Sequence, residues 1–212
     1  FFDLKIASDG EVLIKGDNVM KGYYKNKKAT DETIIDGWLH TGDVGKIDSD
    51  GYLFITGRKK EIYVSSSGKN IAPLVIEETM KSIPIVSQCY LVGDDRKFCS
   101  ALITLDMGAI LRDYIGIDVN DIPKDPDKQN ELIISNNTKL SDFTDNEDIF
   151  NFVSDEIEKL NQKFSNPEQI KKFSILPRDF SIDEGELTPT LKIRRKQIND
   201  NWSEVISAMY SE

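Results

Sequence analysis

Hydrophobic and polar positions alternate with a period of two over much of the first sixty residues and recur at helical spacing in several later stretches. Phe1 to Ala7 and Glu11 to Lys15 are alternating runs on either side of Ser8-Asp9-Gly10, which predicts a β-hairpin. A loop with Gly16, Gly22 and Tyr23-Tyr24 follows. Lys25 to Asp36 then has helical composition, centred on Ala29 to Ile35, with Gly37 as its C-terminal stop. Asp43 is expected in a short turn after Gly42. Val44 to Ile47 and Tyr52 to Thr56 read as two strands joined through Asp48-Ser49-Asp50-Gly51.

The basic stretch Gly57-Arg58-Lys59-Lys60-Glu61 looks like a joint between domains. Beyond it, Ile62-Tyr63-Val64 is a short strand and Ser65 to Lys69 a Ser/Gly turn. Pro73 opens a helix to Ile83 that carries Glu77 and Glu78. Ile85 to Val92 and Phe98 to Leu105 flank Gly93-Asp94-Asp95-Arg96-Lys97, a second hairpin expected to lie under helices.

From Asp106 to about Asn146 acidic residues outnumber basic ones. Pro123, Pro126 and Ser135-Asn136-Asn137 suggest an acidic insertion or mobile loop near 106–146, apart from a short helix from Ala109 to Tyr114. Helical periodicity returns from Asp148 to Phe164, with Ile149, Phe152, Val153, Ile157 and Leu160 on one face. Ile170 to Leu176 leads into a strand ending at Pro177, Ser181 to Gly185 is a turn, and a loop holding Lys192 passes into a C-terminal helix. Together these elements predict an α+β chain: β-hairpins and a helix, then a small α/β core.

With 212 residues, 39% of them hydrophobic and 30% charged, the composition is that of an ordinary globular protein, and no apolar run is long enough for a transmembrane helix. The formal charge of -10 argues against a general nucleic-acid binder but leaves room for a local basic site holding one nucleotide. Cys89 and Cys99 sit in apolar strand-like runs and read as buried small hydrophobes, which suits a reducing, intracellular setting. His40 is the single histidine, so a Ser-His-acid triad and a zinc site built on several histidines are excluded. With no initiating Met, no signal segment and a strand at the very start, the chain is expected to be a piece of a longer protein.

Several residues carry chemistry. A carboxylate such as Asp43 can accept two hydrogen bonds from a vicinal diol, or it can simply stabilise its own turn. The planar guanidinium of Arg58 can bridge ribose and phosphate oxygens, or lie on the surface at a strand end. Ile55 is an apolar strand residue and a core candidate. Gly68 removes a side chain where a ligand or another backbone might approach. Lys60 sits where a change of φ and ψ would lose few contacts. Lys192 could offset negative charge on a phosphate and an attacking carboxylate, or be one more Lys at a basic helix start.

Three blocks decide between these readings: Gly37-Trp38-Leu39-His40-Thr41-Gly42-Asp43, then Gly51-Tyr52 through Gly57-Arg58-Lys59-Lys60-Glu61, then Gly185-Glu186-Leu187-Thr188-Pro189-Thr190-Leu191-Lys192. In that order, with Gly68 and Pro73 to Glu77 between them, they resemble the adenylate-forming enzymes: acyl-CoA synthetases, peptide-synthetase adenylation domains and luciferases. The resemblance implies that residues 1–59 are the C-terminal end of a large N-terminal AMP-binding domain and 60–212 a C-terminal lid. It implies ribose binding by Asp43, nucleotide contact by Arg58, packing on the adenine side by Ile55, a hinge at Lys60, a pantetheine tunnel along Gly68 and catalysis by Lys192.

The Thr-Pro-Thr-Leu-Lys form and the 106–146 segment resemble long-chain fatty-acid CoA ligases, including the bubblegum-like branch. In such a ligase ATP and a fatty acid give acyl-AMP and pyrophosphate, and CoA then gives acyl-CoA and AMP. The phosphate loop, the acidic Mg2+ ligand and the acyl pocket are expected in the N-terminal part, so this chain alone is expected to be inactive. The full-length enzyme is expected in the cytoplasm or peripheral on a membrane facing the cytosol. Ser67 and Lys69 depart from the family's usual flanks of Gly68. Arg194, Arg195 and Lys196 either meet CoA phosphates or solvate a helix face, the latter being favoured residue by residue. Two rivals remain: a different adenylate-former, loading a carrier protein or an aryl acid, and a non-catalytic interaction module with the lid fold. The intact set of Asp43, Arg58, Lys60, Gly68 and Lys192 speaks against the second.

Overall fold

The computed structural model describes residues 2–64 and 68–211. Phe1, and Ser65 to Ser67 of the expected Ser/Gly turn, lie outside the described residues. The α+β chain divides into two compact units, one comprising Phe1–Tyr63 with Asn70–Val75, the other Val64–Lys69 with Ile76–Glu212.

In the first unit β1 (Phe2–Ile6) and β2 (Glu11–Gly16) form the expected hairpin, in register from Phe2 opposite Gly16 to Ile6 opposite Val12. The expected helix is shorter than its composition suggests: α1 runs only Lys27–Thr33, capped by the Asn26 side chain on the Ala29 N–H. Ile34–Ile35 instead form a strand, β3, because β-branched residues gain more from pairing with Leu39 and Trp38 than from another helical turn. Asp36 and Gly37 both take positive φ, 51° and 79°, and make the two-residue turn into β4 (Trp38–Ile47). Gly37 therefore serves a hairpin, not a helix end.

β2 pairs along one edge of β4, while β3 and β5 (Leu53–Arg58) pair along the other. β6 (Tyr63–Val64) and β7 (Asn70–Ile71) form a separate two-stranded ladder. Val12 and Leu13 are buried, but Tyr52, Phe54 and Ile55 stay exposed.

In the second unit β8 (Val86–Val92) and β9 (Cys99–Leu105) are antiparallel, and β10 (Ile170–Ile175) joins the other side of β9 in parallel. Covered on both sides, β9 is buried at every position, including Ser100 and Thr104, whose hydroxyls donate to the Tyr210 hydroxyl and to Asp179. Helix α2 (Pro73–Met80) precedes the sheet. The short helix expected from Ala109 to Tyr114 is present as α3 (Met107–Ile110) and a wider turn through Ile115 that stops at Gly116, and where the sequence suggests only an insertion or loop the chain folds into α4 (Pro126–Ser135), capped by Asp125. Ile110, Leu111, Ile133 and Leu140 anchor them in the core.

α5 (Glu147–Asn161) starts at an Asn146 cap and buries Ile149, Val153 and Ile157. Phe152, expected on that face, is 40% exposed. The chain ends in α6 (Arg195–Asn201) and α7 (Ser203–Tyr210), which pack Ile198, Ile206 and Met209 against Tyr90 and Leu102. No helix among the described residues is long and apolar enough to cross a membrane.

Candidate functional site

Asp43 is not in a turn but on a bulge inside β4. Three residues of β4, Thr41 to Asp43, stand opposite the single Val12 of β2, so the ladder is interrupted there. Side chains replace the missing rungs. The Thr41 hydroxyl donates to the Val12 carbonyl (2.8 Å) and accepts from the Asp43 N–H (3.1 Å), and the Glu11 carboxylate accepts from the Gly42 N–H (2.9 Å). Gly42 has φ +72°, which its lack of Cβ makes cheap.

Across the ladder Asp43 faces Arg58, whose Nε lies 3.1 Å from its carboxylate. A second bulge at Thr56 re-aims the end of β5. The structure thus brings two of the expected nucleotide residues together, a carboxylate and a guanidinium side by side. The third, Ile55, is 45% exposed on β5, so within its unit it is not a core residue.

Glu11, which sequence reading passes over, is the buried support of this pair. It is 4% exposed and accepts from Gly42 N–H and from Lys59 Nζ (3.0 Å), with His40 Nδ1 also at 3.0 Å. Burial alone would push its carboxyl up, but hydrogen bonds from His40, Lys59 and Gly42 outweigh burial and hold it below its ordinary value. Lys59 also pairs with Asp9 at 2.7 Å. A Glu directly after the hairpin turn and next to Val12-Leu13 was the signal, since a carboxylate at a buried strand start needs partners. Lys60 follows Lys59 in an exposed turn whose Glu61 and Ile62 N–H groups both donate to the Arg58 carbonyl.

In the second unit Gly68 is exposed at φ +77°, with nothing within 4 Å of where a Cβ would stand. Among the described residues it is the backbone conformation, not a close neighbour, that asks for glycine. Lys69, the departure beside it, pairs with Glu168 at 2.8 Å and donates to Ser165, so its charge is balanced locally.

Lys192 stands near the tip of a small hairpin. Leu187 and Ile193 bridge its base, and Arg194 N–H donates to the Glu186 carbonyl (2.8 Å). Above them Thr188 N–H donates to the Lys192 carbonyl, Leu191 N–H to the Thr188 carbonyl, and Lys192 N–H to the Thr188 hydroxyl (3.0 Å). Leu191 closes the three-residue loop in the left-handed region, at φ +59°. Lys192 is exposed, and among the described residues its ammonium has no ion-pair partner.

Two buried carboxylates hold the feet of this hairpin. Glu186, with no exposed surface, accepts a bidentate pair of hydrogen bonds from Arg178 (2.7 and 2.9 Å) and further ones from Ser181 N–H, Asn201 and Trp202. Burial would raise its pKa, but those donors, Arg178 foremost, depress it. Glu77 in α2 accepts a bidentate pair from Arg195 (2.9 and 2.7 Å) and another bond from Leu91 N–H. Arg195 is thus built into the interior, and Lys196 pairs with Asp200 on the surface. Ile76, Glu77 and Met80 are all buried on α2, and a carboxylate in that position requires a cation.

Comparison with known proteins places these features in context. Residues 60–113 and 126–212 match the family model described as the AMP-binding enzyme C-terminal domain. A long-chain-fatty-acid–CoA ligase of Mycobacterium tuberculosis is 40% identical over 215 residues, covering 99% of this chain and 32% of that protein. A human long-chain-fatty-acid–CoA ligase is 35% identical over 208 residues, covering 96% of this chain and 28% of that protein. The chain spans about a third of the length of the curated relatives it matches.

Among solved structures, the adenylation domain of a carboxylate reductase from Mycobacterium chelonae aligns over 100% of this chain and 31% of that one, with a TM-score of 0.70 at 19% identity. The o-succinylbenzoate CoA synthetase of Bacillus subtilis in complex with AMP aligns over 94% of this chain and 34% of that one, with a TM-score of 0.59 at 22% identity. These two similarities concern the fold.

Proposed function

The chain belongs to the AMP-binding enzyme C-terminal domain family, and from that membership we propose that it is the C-terminal part of an ATP-dependent long-chain fatty-acid CoA ligase. The observation that carries the proposal is the 40% identity with such a ligase along 99% of the chain. The unpaired ammonium of Lys192, held on a braced hairpin, supports a catalytic role.

In the first step a fatty-acid carboxylate attacks the α-phosphorus of ATP, giving acyl-AMP and pyrophosphate. Negative charge gathers on the phosphate and the attacking oxygens, and Lys192 offsets it without first having to break an ion pair. Asp43 accepts the ribose hydroxyls, Arg58 meets ribose and phosphate oxygens, and Ile55 lies against the adenine. In the second step the CoA thiol attacks the acyl carbonyl and AMP leaves. The lid, from Lys60 onward, turns about that residue between the steps, withdrawing Lys192 and presenting Gly68 to the pantetheine arm. Among the described residues no group of three or more His, Cys, Asp or Glu side chains could hold a metal ion. The acidic ligand for the Mg2+ that accompanies ATP is proposed to lie in the N-terminal part of the longer protein. The buried thiols of Cys89 and Cys99 suit an intracellular setting, in the cytosol or at a membrane facing it.

The test scores pyrophosphate release and conversion of supplied acyl-AMP separately in the full-length protein, with acids of several chain lengths. Lys192→Ala is expected to cut pyrophosphate release by at least about 100-fold while acyl-AMP conversion continues. If both half-reactions fall together, or neither does, the assignment of Lys192 is wrong. Preference for aryl acids would replace the fatty-acid reading. Residues 1–212 alone are expected to make no acyl-CoA above background.

A further inference from the structure

Two contacts of the Glu11 carboxylate fall one residue away from a group proposed to meet the nucleotide. Gly42, whose N–H it accepts, precedes Asp43, and Lys59, whose ammonium it accepts, follows Arg58. The backbone closes the same circuit, because Lys59 N–H donates to the Gly42 carbonyl at 2.8 Å. This is where ordinary sheet geometry is interrupted: β4 bulges opposite Val12 and β5 bulges at Thr56, so beyond the Thr56 bulge only the rungs Asp43–Arg58 and Val44–Gly57 of the β4–β5 ladder hold this pair, with no β2 rung behind Asp43. Glu11 itself is buried and turned into the sheet, so its charge is spent on its donors.

We infer that Glu11 is a positioning residue for nucleotide binding, its carboxylate gripping Gly42 and Lys59 so as to set the spacing of Asp43 and Arg58. The inference rests on the proposed reading of those two residues. Asp9 accepts from the same ammonium at 2.7 Å and so helps to hold it at Glu11. Thr41 and His40 complete the support: the Thr41 hydroxyl bonds the Val12 carbonyl, and the His40 ring abuts the Glu11 oxygen that Lys59 uses. Loosening the grip would leave both nucleotide groups present but misplaced, and displacements of about 1 Å are costly for oriented binding groups.

The experiment measures KM for ATP and for the fatty acid in pyrophosphate release by the full-length protein, alongside its thermal midpoint. Glu11→Gln keeps the shape and the acceptor for Gly42 but loses the charge that holds Lys59, and Lys59→Met removes the other partner. Both are expected to raise KM for ATP about tenfold and to leave KM for the fatty acid within about twofold. Lys59→Arg, which keeps charge and reach, should stay within about threefold of the wild type.

Asp43→Ala is the control for the nucleotide reading. If it raises KM for ATP while Glu11→Gln and Lys59→Met do not, the positioning role falls and the nucleotide site stands. If Asp43→Ala leaves KM for ATP unchanged, the nucleotide reading fails and the inference goes with it. Parallel losses in both KM values and in the thermal midpoint would make Glu11 a structural residue only and would also overturn the inference.

Discussion

Leu191 carries strain beside the residue with the most chemistry. Its φ of +59° is one that L-residues with a Cβ avoid at a cost of about 1–2 kcal/mol, and at 69% exposure its side chain recovers little by burial. Glycine would relieve the strain but give back about 0.5–1 kcal/mol of chain entropy. Leu191→Gly is therefore expected to stabilise the protein by about 0.5 kcal/mol, and Leu191→Val to destabilise it by about 1 kcal/mol, because a β-branched side chain is worse placed there. Urea denaturation of both variants checks the opposite signs, and equal signs would show that the backbone relaxes away from this conformation. At the same scale, Lys192, Asp43 and Arg58 are identifiable by residue type and motif. Glu11, Glu77 and Glu186 are not, because a carboxylate's importance here lies in its donors, which come from elsewhere in the chain.

The Lys192 hairpin and the β4 bulge are elements whose shape is maintained by buried charge. Glu186 is the clearest case, since its pKa lies below its ordinary value of 4.5. A carboxyl depressed in the folded state stabilises fully above its unfolded value, and the contribution disappears as pH falls through the lower folded value. The stability of the second unit is thus expected to decline as pH drops below about 4.5, with Glu186→Gln less stable at neutral pH and less sensitive to acid. Glu168, in the same unit, is depressed as well and adds to the slope, so the difference between wild type and Glu186→Gln is the quantity to follow. Identical acid limbs in the two proteins would show that the Arg178–Glu186 pair does not contribute.

The alternating runs of β1 and β2 and the apolar runs of β8 and β9 were legible from their pattern. Apart from the short helix expected from Ala109 to Tyr114, the helices of 106–146 were not, because polar residues and two prolines hid the few apolar anchors, among them Ile133 and Leu140. Asp125 before Pro126 is a helix-start signal that could have revealed α4.

For the whole molecule, the proposed mechanism requires a change of backbone at Lys60. Proline there would lock φ near −65° and leave one lid orientation accessible. Lys60→Pro in the full-length protein is expected to leave one half-reaction within a few-fold of wild type and to slow the other by at least about tenfold. Separate assays of pyrophosphate release and of acyl-AMP conversion decide it, and equal rates in both would move the pivot away from Lys60. Because the chain covers about a third of its relatives' length, this prediction belongs to the longer protein.

The α+β class, both hairpins, the basic stretch Gly57 to Glu61 and the three motif blocks follow from the order of residues alone, because alternation, turn residues and short motifs are local properties of a chain. The tertiary structure decided the rest: the parallel seat of β10 beside β9, the bulge that carries Asp43, the interior role of Arg195, and the donors that surround Glu11, Glu77 and Glu186. Each depends on groups far apart in sequence. Partners for a buried charge and the register of a strand exist only once distant segments have met, and no local pattern encodes which segments those will be.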